Sequence, residues 1–328
     1  MHAVILAGGK GTRLRPLTDA RPKPLVPFVG DPFAAGLLRR LVVAGCTGAT
    51  FLVGRDAGPF APLRTVGADL GIAVDVVAEP VPLDTAGAAR DLLRGDGVPA
   101  GDPILVCNGD VLTDLDYAAL IAAHQTAGAV ATLALTRVDD PSSFGVIECD
   151  GTRVERFVEK PPPGTAVANT VNAGTYALDA SAFDGFSSSG PLSFERDVFP
   201  DLLAAGTVLS AYTSDAYWQD LGTLQRYLAG HAAVLDGRCS WPLSDAYERR
   251  SGSVLVHPRA RVHATATLVR DVVVGPDARV GPAALLDTTA VFAGATVGAG
   301  AKVVDSVVDT GAAVAAGAQI GPQAVVAA

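Results

Sequence analysis

An aliphatic residue returns about every sixth position in the last part of the chain, and this spacing constrains the fold more than any other feature. The period begins after roughly Gly237, and phrases such as "VGPDAR", "VGPAAL" and "VGAGAK" place small residues at regular offsets from it. Such an internal repeat predicts a repeated unit whose aliphatic residue points inward and whose small residues occupy tight corners. The register, with two five-residue steps, is Val256, Val262, Leu268, Val274, Val280, Leu286, then Val291, Val297, Val303, then Val308, Val314 and Ile320.

The repeat resembles the left-handed parallel β-helix of hexapeptide-repeat proteins. Three hexads form one triangular coil in that family, so residues 253–328 supply about four coils. Hexapeptide repeats also build acyltransferases, which generally have more coils and a catalytic His at a subunit junction. The short repeat therefore favours oligomerisation or a stabilising cap over a second active site. The segment "DGRCSWPLSDAYERRSG" predicts a linker, assigned to residues 237–252.

Residues 1–236 alternate short apolar runs with helical patterns. The runs "HAVILA", "ATFLV", "AVDVV" and "PILVC" predict buried strands. The segment "DPFAAGLLRRLVVAG" predicts a helix with Asp31 as N-cap, Pro32 at the first helical position and Gly45 as its stop, and "DLDYAALIAAHQTAG" predicts another capped helix. We therefore expect an α/β fold, a Rossmann-like and mainly parallel sheet flanked by helices, followed by the short β-helix. Ligands of such sheets bind at the carboxyl ends of the strands.

A glycine-rich turn with clustered cations follows the first predicted strand, in the stretch "LAGGKGTRLRPLTDARPKPL". Gly8, Gly9 and Gly11 let the backbone approach a ligand closely, and amides in such a turn form an anion-binding concavity. Arg13 and Lys23 add positive charge, so the stretch predicts a polyphosphate ligand. The dinucleotide-binding fingerprint is excluded because its third glycine position holds leucine, and the P-loop is excluded because no GK[ST] occurs.

The acidic balance of the whole chain limits its partners. A formal net charge of -9 and a pI near 5.0 predict neither a nucleic-acid nor a membrane partner. The four cysteines, at Cys46, Cys107, Cys149 and Cys239, include no CxxC pair, which predicts reduced, buried thiols in an intracellular protein. We find neither a signal-peptide pattern nor an apolar stretch of spanning length, so we expect a cytoplasmic protein. The five histidines have no metal-type spacing and are assigned no role.

The segments "LAGGKGTRLRPLT" and "PKPLVP" resemble the signature of the sugar nucleotidyltransferases, also called nucleoside-diphosphate-sugar pyrophosphorylases. Further segments match at family-like intervals: "EPVPLDTAGA", "VCNGDVLTDLD", "SSFGVI", "FVEKP", "VNAGTY", "LSFERDVFP" and "YWQDLGT". The resemblance covers about the first 235 residues, and several branches of the family carry an added β-helix. The "LDTAGA" segment is most similar to the "LGTAGA" form of the mannose-1-phosphate guanylyltransferase type.

This resemblance implies a reaction in which a sugar 1-phosphate oxygen attacks the α-phosphorus of a nucleoside triphosphate and releases pyrophosphate. The nucleophile is already an anion at neutral pH, so catalysis requires positioning and charge neutralisation. By resemblance, Arg13 binds the β- and γ-phosphates, Lys23 reaches the α-phosphate or the sugar phosphate, and Lys160 holds the incoming sugar phosphate. Asp110 and Asp220 are implied as the paired ligands of Mg²⁺.

Backbone and polar groups complete the site that the resemblance implies. Its nucleotide-binding positions are Leu6, Gly8, Gly9, Gly11, Thr12, Asp84 and Gly109. Its sugar-phosphate-binding positions are Gly145, Glu159, Lys160, Asn172 and Gly174. Glu159 accepts hydroxyl hydrogen bonds there, Asn172 donates and accepts them, and the two glycine backbones allow close approach.

Three aspartates also have simple structural explanations. Asp220 precedes a predicted helix, although Thr223 is the better N-cap there. Asp84 or Thr85 is the predicted N-cap of "DTAGAARDLLRG", while a carboxylate at position 84 also suits the adjacent N1–H and amine donors of guanine. Asp31 stands where the family usually has a basic residue, so it weakens the phosphate-side charge or serves as a helix cap.

We therefore expect an enzyme that transfers a nucleoside monophosphate, from GTP by preference, to a sugar 1-phosphate of the mannose 1-phosphate kind. An adenylyltransferase of the glucose 1-phosphate kind is one alternative. A catalytically weak regulatory subunit that binds sugar nucleotides is another, and the retained cationic and acidic positions argue against it. The expected partners are the triphosphate, the sugar 1-phosphate and further copies of the chain.

Overall fold

Helices and strands alternate along the first two thirds of the chain, as the sequence predicts. The computed structural model describes residues 1–95, 98 and 101–328. Its helices are α1 (Phe33–Val43), α2 (Pro62–Leu70), α3 (Asp84–Arg94), α4 (Tyr117–Ala127), α5 (Phe199–Ala204) and α6 (Leu224–Leu235). The strands up to residue 220 are β1 (His2–Ala7), β2 (Pro27–Phe28), β3 (Asp31–Pro32), β4 (Gly48–Val53), β5 (Ala73–Ala78), β6 (Ile104–Asn108), β7 (Val111–Thr113), β8 (Ala131–Arg137), β9 (Gly145–Asp150), β10 (Arg153–Glu159), β11 (Thr170–Leu178), β12 (Leu209–Thr213) and β13 (Trp218–Asp220).

Two compact units are assembled from interleaved stretches of the chain. The first, here called the sheet unit, contains Met1–Gly9, Leu38–Val111 and Leu115–Trp218. The second, here called the β-helix unit, contains Lys10–Leu37, Leu112–Asp114 and Gln219–Ala328. The domain boundaries that the sequence predicts at residues 236 and 252 follow the order of motifs, and they stay a prediction.

The sheet unit is organised around one nine-stranded sheet in the order β5-β4-β1-β6-β11-β8-β12-β10-β9. Strands β5, β4, β1 and β6 are parallel neighbours, and β12 is parallel to β8, whereas the remaining pairs are antiparallel. All four strands that the apolar runs predict are present, and β4 is buried along its whole length, as expected between two covering layers. The predicted burial is wrong for β5, because it is the edge strand of the sheet and only Val74 in it is buried. Leu6 is the register partner of Asn108, so the carboxyl ends of β1 and β6 lie side by side.

Helix termini follow the local sequence at α4 but not at the start of α1. Asp116 caps α4 by accepting the Ala119 amide at 3.0 Å, and Gly128 ends that helix with a φ of 59°, so the segment forms a capped helix as predicted. Helix α1 begins at Phe33, so the prediction of Asp31 as N-cap and Pro32 as the first helical residue is wrong. Asp31 and Pro32 instead pair with Phe28 and Pro27 in the small β2–β3 ladder, which extends the backbone there.

The β-helix unit confirms the six-residue register. Its strands are β14 (Glu248–Ser251), β15 (Val254–Val256), β16 (Arg261–Val262), β17 (Thr267–Leu268), β18 (Val272–Val274), β19 (Arg279–Val280), β20 (Leu285–Val291), β21 (Thr296–Val297), β22 (Lys302–Val308), β23 (Ala313–Val314), β24 (Gln319–Ile320) and β25 (Ala324–Val326). From β15 onward, successive coils pair in parallel at offsets of 17 or 18 residues. All twelve predicted aliphatic positions lie in, or pack against, one apolar core.

The five-residue steps in the register occur where two strands continue around a corner. Strands β20 and β22 each span one such step and contain a residue with positive φ, Thr288 at 47° and Asp305 at 47°. Equivalent corners in the coils before and after hold Asp271 and Gln323, also with positive φ. Residues in this conformation turn the backbone at one corner of each coil. The five-residue step across such a corner therefore still places its aliphatic side chain facing inward.

Cysteine burial was predicted for all four thiols. Cys46, Cys107 and Cys239 are buried, and burial raises the pKa of the Cys46 thiol to about 11. Cys149 is exposed, so the prediction is wrong there, because the last residues of β9 extend beyond the core where that strand turns into β10. No helix within the described ranges 1–95, 98 and 101–328 is long and apolar enough to span a membrane.

His231 makes the stability of the β-helix unit sensitive to acid. Its ring packs against Phe28 and Tyr227 at centroid distances of 4.5 and 4.6 Å, and burial lowers its pKa from 6.5 to about 3. In the unfolded chain His231 takes up a proton as the pH falls below 6.5, whereas in the folded protein it stays neutral. The part of the unfolding free energy that depends on neutral, buried His231 is therefore fully present above pH 6.5 and is lost as the pH falls from 6.5 towards 3.

We expect His231 alone to cost the protein about 2 kcal/mol of unfolding free energy between pH 6.5 and 5. His231→Phe should remove this part of the pH dependence. Urea unfolding of both proteins at pH 7.5 and pH 5.0 measures the difference between their losses. Equal losses in wild type and His231→Phe would contradict the prediction.

Candidate active site

The predicted nucleotide loop begins at the carboxyl edge of the central sheet. Gly8 and Gly9 follow β1 and are exposed, and a Cβ placed on Gly9 would meet no described atom within 4 Å. The Gly109 amide donates to the carbonyl of Leu6 at 2.9 Å, which joins the turn after β6 to the end of β1. The sheet unit thus brings Leu6, Gly8, Gly9 and Gly109 to one edge, where Gly8 and Gly9 are exposed and Gly109 is buried.

The rest of the loop folds within the β-helix unit. Gly11 has a φ of 61°, and a Cβ there would lie 3.1 Å from Thr18 and 3.2 Å from Lys23, so only glycine suits both the backbone and the close approach. Thr18 donates its hydroxyl to the Gly11 carbonyl at 2.9 Å. Thr12 begins a short 3-10 turn that presents Arg13 to solvent. This packing holds Gly11, Thr12 and Lys23 in one small substructure.

Three cations surround Asp220 in the β-helix unit. Arg226 donates to its carboxylate at 3.0 Å, and Lys23 and Arg13 lie 3.6 and 3.9 Å from it. The Lys23 side chain is only 9% exposed, whereas that of Arg13 is 68% exposed. The cluster therefore carries more positive than negative charge. Lys23 is held in place by its burial, whereas Arg13 is exposed and can reach outward.

Arg226 is a member of this cluster that sequence reasoning missed. It lies in the first turn of α6, and the predicted Thr223 N-cap accepts its amide at 3.3 Å. That cap leaves the Asp220 carboxylate available for the cations, as the sequence predicts. Arg226 lies six positions after Asp220, and no sequence motif marks that spacing. Only the turn between β13 and α6 shows that the two residues pair.

The two carboxylates predicted to bind metal occupy strand ends. Asp110 follows Gly109 in the sheet unit and is half-buried. Asp220 ends β13 in the β-helix unit, and its side chain is 20% exposed. Within the described part of the chain no group of three or more His, Cys, Asp or Glu side chains has a metal-binding arrangement. A metal here would complete its shell with phosphate and water oxygens.

The β9–β10 hairpin groups three of the predicted sugar-phosphate residues. Gly145 is the register partner of Glu159, and a Cβ on Gly145 would lie 2.9 Å from the Glu159 carboxylate and 2.7 Å from Phe157. Lys160 donates to Glu159 at 2.6 Å and is 65% exposed. Its φ of 47° is unusual for a residue other than glycine, and its amide donates to the carbonyl of Phe144 at 3.0 Å. A backbone held by this hydrogen bond thus presents a largely exposed ammonium group that is paired with Glu159.

Asn172 and Gly174 lie together on β11, where its register with β8 is interrupted. The Gly174 amide donates to the Asn172 side chain at 2.9 Å, and Gly174 has a φ of 70° beside Asn108. The Asn172 amide donates to the buried hydroxyl of Tyr176 at 2.7 Å, and Tyr176 donates to Glu195 at 3.3 Å. Burial, more than the nearby Glu195 carboxylate, raises the pKa of Tyr176, so its hydroxyl keeps its proton.

Asp84 differs from its predicted role as a helix cap. Helix α3 begins at Asp84 itself, its N-cap position falls on Leu83, and neither Asp84 nor Thr85 caps it through a side chain, so both cap predictions are wrong. Asp84 has a φ of 61°, accepts its neighbour's amide at 2.8 Å and forms an ion pair with Arg196. Thr85 instead donates to Glu195 at 2.8 Å. The "LSFERDVFP" segment thereby holds the start of α3, a contact that no local pattern indicates.

Comparisons with known proteins match both parts of the chain to known families. The nucleotidyl transferase family matches residues 2–237, and the family described as GMPPB C-terminal domain matches residues 250–328. A mannose-1-phosphate guanylyltransferase of Mycobacterium tuberculosis (strain ATCC 25618 / H37Rv) is 37% identical over 298 residues, which cover 90% of this chain and 80% of that protein. A probable mannose-1-phosphate guanylyltransferase 1 of Oryza sativa subsp. japonica is 37% identical over 283 residues, covering 84% of this chain and 75% of that protein.

A solved structure is similar in fold. The crystal structure of HddC from Yersinia pseudotuberculosis superposes with a TM-score of 0.59 at 28% sequence identity, covering 70% of this chain and 97% of that one. The predicted fold class and family resemblance are both confirmed, because the matched segments contain the glycine-rich loop and the hexapeptide repeat. The chain belongs to the nucleotidyl transferase family and is a nucleotidyltransferase with a GMPPB-type C-terminal domain.

Proposed function

We propose that the enzyme transfers guanosine monophosphate from GTP to mannose 1-phosphate, forming GDP-mannose and pyrophosphate. The observation that carries this proposal is the similarity to proteins named mannose-1-phosphate guanylyltransferase, at 37% identity over 90% of the chain. In the reaction, a phosphate oxygen of the sugar 1-phosphate forms a bond to the α-phosphorus. The bond from the α-phosphorus to the bridging oxygen breaks, and its electron pair leaves with pyrophosphate.

The cation cluster around Asp220 supports the phosphate roles of Arg13 and Lys23. Lys23 is nearly buried and held against Gly11, so its ammonium group has a fixed position for the α-phosphate or the sugar phosphate. Arg13 is largely exposed, and its planar fork suits two oxygens of the β- and γ-phosphates. An arriving triphosphate offers both cations a second anion, so they stabilise charge that grows on the leaving pyrophosphate.

Nucleotidyltransferases of this family typically use a divalent metal ion, and we propose Mg²⁺, held by Asp110 and Asp220. The residues fit this ion, because both are partly accessible carboxylates, and Mg²⁺ is usually bound by one or two carboxylates together with phosphate oxygens. Two of the three cations beside Asp220, Arg13 and Lys23, are those we assign to phosphates, so phosphate binding draws them away from its carboxylate while Arg226 stays paired with it. A bound divalent ion supplies charge neutralisation and orients the triphosphate.

The sheet unit supplies the proposed sugar side. Lys160 is 65% exposed, so we assign it to the incoming sugar phosphate, and we assign Glu159 and Asn172 to the sugar hydroxyl groups. Gly145 and Gly174 let the sugar approach the backbone. Because the nucleophile is already ionised, none of these residues has to act as a general base.

An isotope experiment tests the direction of attack. Mannose 1-phosphate labelled with ¹⁸O in its phosphate group should yield GDP-mannose that retains all of the label, and unlabelled pyrophosphate. ³¹P NMR of the products locates the label through its isotope shift. Release of inorganic phosphate instead, or label in the pyrophosphate, would contradict nucleotidyl transfer.

We propose that Asp84 contacts guanine, whose adjacent N1–H and amine donors suit a carboxylate. Asp84→Asn keeps a residue type that tolerates a positive φ but removes the charged acceptor, so the ratio of kcat/KM for GTP over ATP should fall about tenfold. Arg196→Gln is the matched control, because it removes the ion pair and leaves the Asp84 carboxylate. An unchanged ratio in Asp84→Asn, or an equal loss in Arg196→Gln, would assign Asp84 to holding the loop instead.

We also propose a cytoplasmic homo-oligomer joined at least partly through residues 252–328. Nucleoside triphosphates are supplied in the cytoplasm, and the short solenoid exposes apolar side chains such as Val269, which is 47% exposed. Light scattering of the full chain should give a mass of at least two subunits. A monomer at micromolar concentration would contradict this proposal.

A further inference from the structure

The segment of residues 10–37, here called the loop, folds together with residues 219–328. Residues 10–37, which carry Arg13 and Lys23, belong to the same compact unit as residues 219–328. Their contacts with that part fall into two groups, one at the end of the loop and one in its middle.

Aromatic packing anchors the end of the loop. The Phe28 ring contacts Tyr227 and Trp241 at centroid distances of 5.9 Å each, and Phe33 stacks on Trp241 at 4.9 Å. Tyr227 donates its hydroxyl to the carbonyl of Pro27, and burial raises the pKa of that hydroxyl. These contacts lie after Lys23 in the sequence and fix the chain as it enters α1.

An ion pair with the β-helix anchors the middle of the loop. Arg21 donates to the carboxylate of Asp309 at 2.7 Å, and the two side chains are 20% and 9% exposed. Asp309 follows β22 at a corner of the coil, where it also accepts the Thr310 amide at 2.7 Å and donates its own amide to Val326 at 2.8 Å. The carboxylate is therefore held on a rigid corner, and a low-dielectric setting strengthens its pull on Arg21.

The chain between Arg21 and Lys23 is stiff. Pro22 and Pro24 flank Lys23, and residues 23–25 form a 3-10 turn in which the Leu25 amide donates to Pro22 and the Val26 amide to Lys23. Each proline fixes its own φ and restricts the residue before it. A displacement of Arg21 therefore passes to the Lys23 ammonium, which lies 3.6 Å from Asp220.

We propose that Arg21 and Asp309 are positioning residues, through which the β-helix holds Lys23 in register for phosphoryl chemistry. The β-helix then supports catalysis through the position of Lys23, besides any role in assembly. This inference rests on the proposed phosphate role of Lys23. Moving a group that contacts a reacting phosphate by about 1 Å costs on the order of 100-fold in rate. Loss of the Arg21–Asp309 ion pair is therefore expected to lower the rate strongly, although the pair itself does not contact the phosphate.

A double-mutant cycle of Arg21→Gln, Asp309→Asn and the double variant tests the proposal in the full chain. Each single change should lower kcat by about 10- to 100-fold, with a smaller change in KM, and the double variant should be no slower than the worse single one. Arg21→Lys should recover part of the loss, because it restores the charge without the planar fork. The matched control is Asp277→Asn, which breaks the exposed β-helix pair with Arg259 and should leave kcat unchanged.

Hydrogen exchange gives a readout that is independent of turnover. Amides of Leu17, Asp19, Leu25 and Val26 are hydrogen-bonded within the loop, so Asp309→Asn should speed their exchange at least fivefold while Asp277→Asn does not. If Asp309→Asn exchanges faster but the wild type forms no GDP-mannose, the Arg21–Asp309 contact does hold the loop and the proposed function is overturned. If the wild type is active and Asp309→Asn changes neither exchange nor kcat, the positioning role is overturned. Additive losses in the double-mutant cycle would overturn it too.

Discussion

Asp110→Asn is expected to lower kcat by roughly 1,000-fold while the protein keeps its fold and its thermal unfolding temperature. The change preserves size and hydrogen bonding but removes the negative charge that we assign to the divalent ion. Because the loss lies in transition-state stabilisation, excess substrate should not restore the rate. Asp220→Asn should behave in the same way.

The matched control for both carboxylates is Asp215→Asn. Asp215 is 92% exposed and pairs with Arg137 on the surface of the sheet unit, five positions before Asp220. Its replacement should leave kcat within twofold of the wild type. Steady-state pyrophosphate release measures all three variants, and near-normal kcat in folded Asp110→Asn would remove that residue from the metal site.

Lys23→Met should lower kcat about 100- to 1,000-fold, because it removes a nearly buried cation that we assign to a reacting phosphate. Methionine keeps much of the packing of the lysine stem against Gly11, so the loop should stay folded. Circular dichroism and thermal unfolding check the fold, and pyrophosphate release gives the rate.

Lys302→Met is the control for the loss of one positive charge, since Lys302 is exposed on β22. Its kcat should match the wild type. If Lys23→Met retained more than a third of wild-type kcat, Lys23 would be a structural partner of Asp220 and no more.

Periodic features of the fold were predictable from sequence because they repeat the same physical requirement many times. Twelve aliphatic positions specify the β-helix core, so a departure at one position does not obscure the register. The four strands, the capped helix α4 and the Thr223 cap were likewise local, since each depends on a few adjacent residues.

Single features that depend on distant partners were not predictable. The start of α1 depends on the β2–β3 ladder, which extends Asp31 and Pro32 before the helix can begin. The backbone of Asp84 depends on Arg196, which lies 112 positions away, and the Arg21 pair spans 288 positions. A local pattern contains no information on such partners.

In the candidate site, too, local features were predictable from the sequence and contacts between separate elements were not. The glycine-rich loop and its cations were visible because their spacing is short and dense. Arg226 was not, because its contact with Asp220 arises only when α6 folds back beside β13. A charged residue in the first turn of a helix is otherwise most often solvent-facing.

The central claim is guanylyl transfer to a sugar 1-phosphate, and a substrate matrix tests it most directly. GTP, ATP, UTP and dTTP are each combined with mannose 1-phosphate and glucose 1-phosphate, and initial rates of pyrophosphate release are compared. The account predicts the highest kcat/KM for GTP with mannose 1-phosphate, by at least about tenfold over any other pair. A preference for ATP with glucose 1-phosphate would contradict the assigned substrates, and no pyrophosphate release with any pair would contradict the account as a whole.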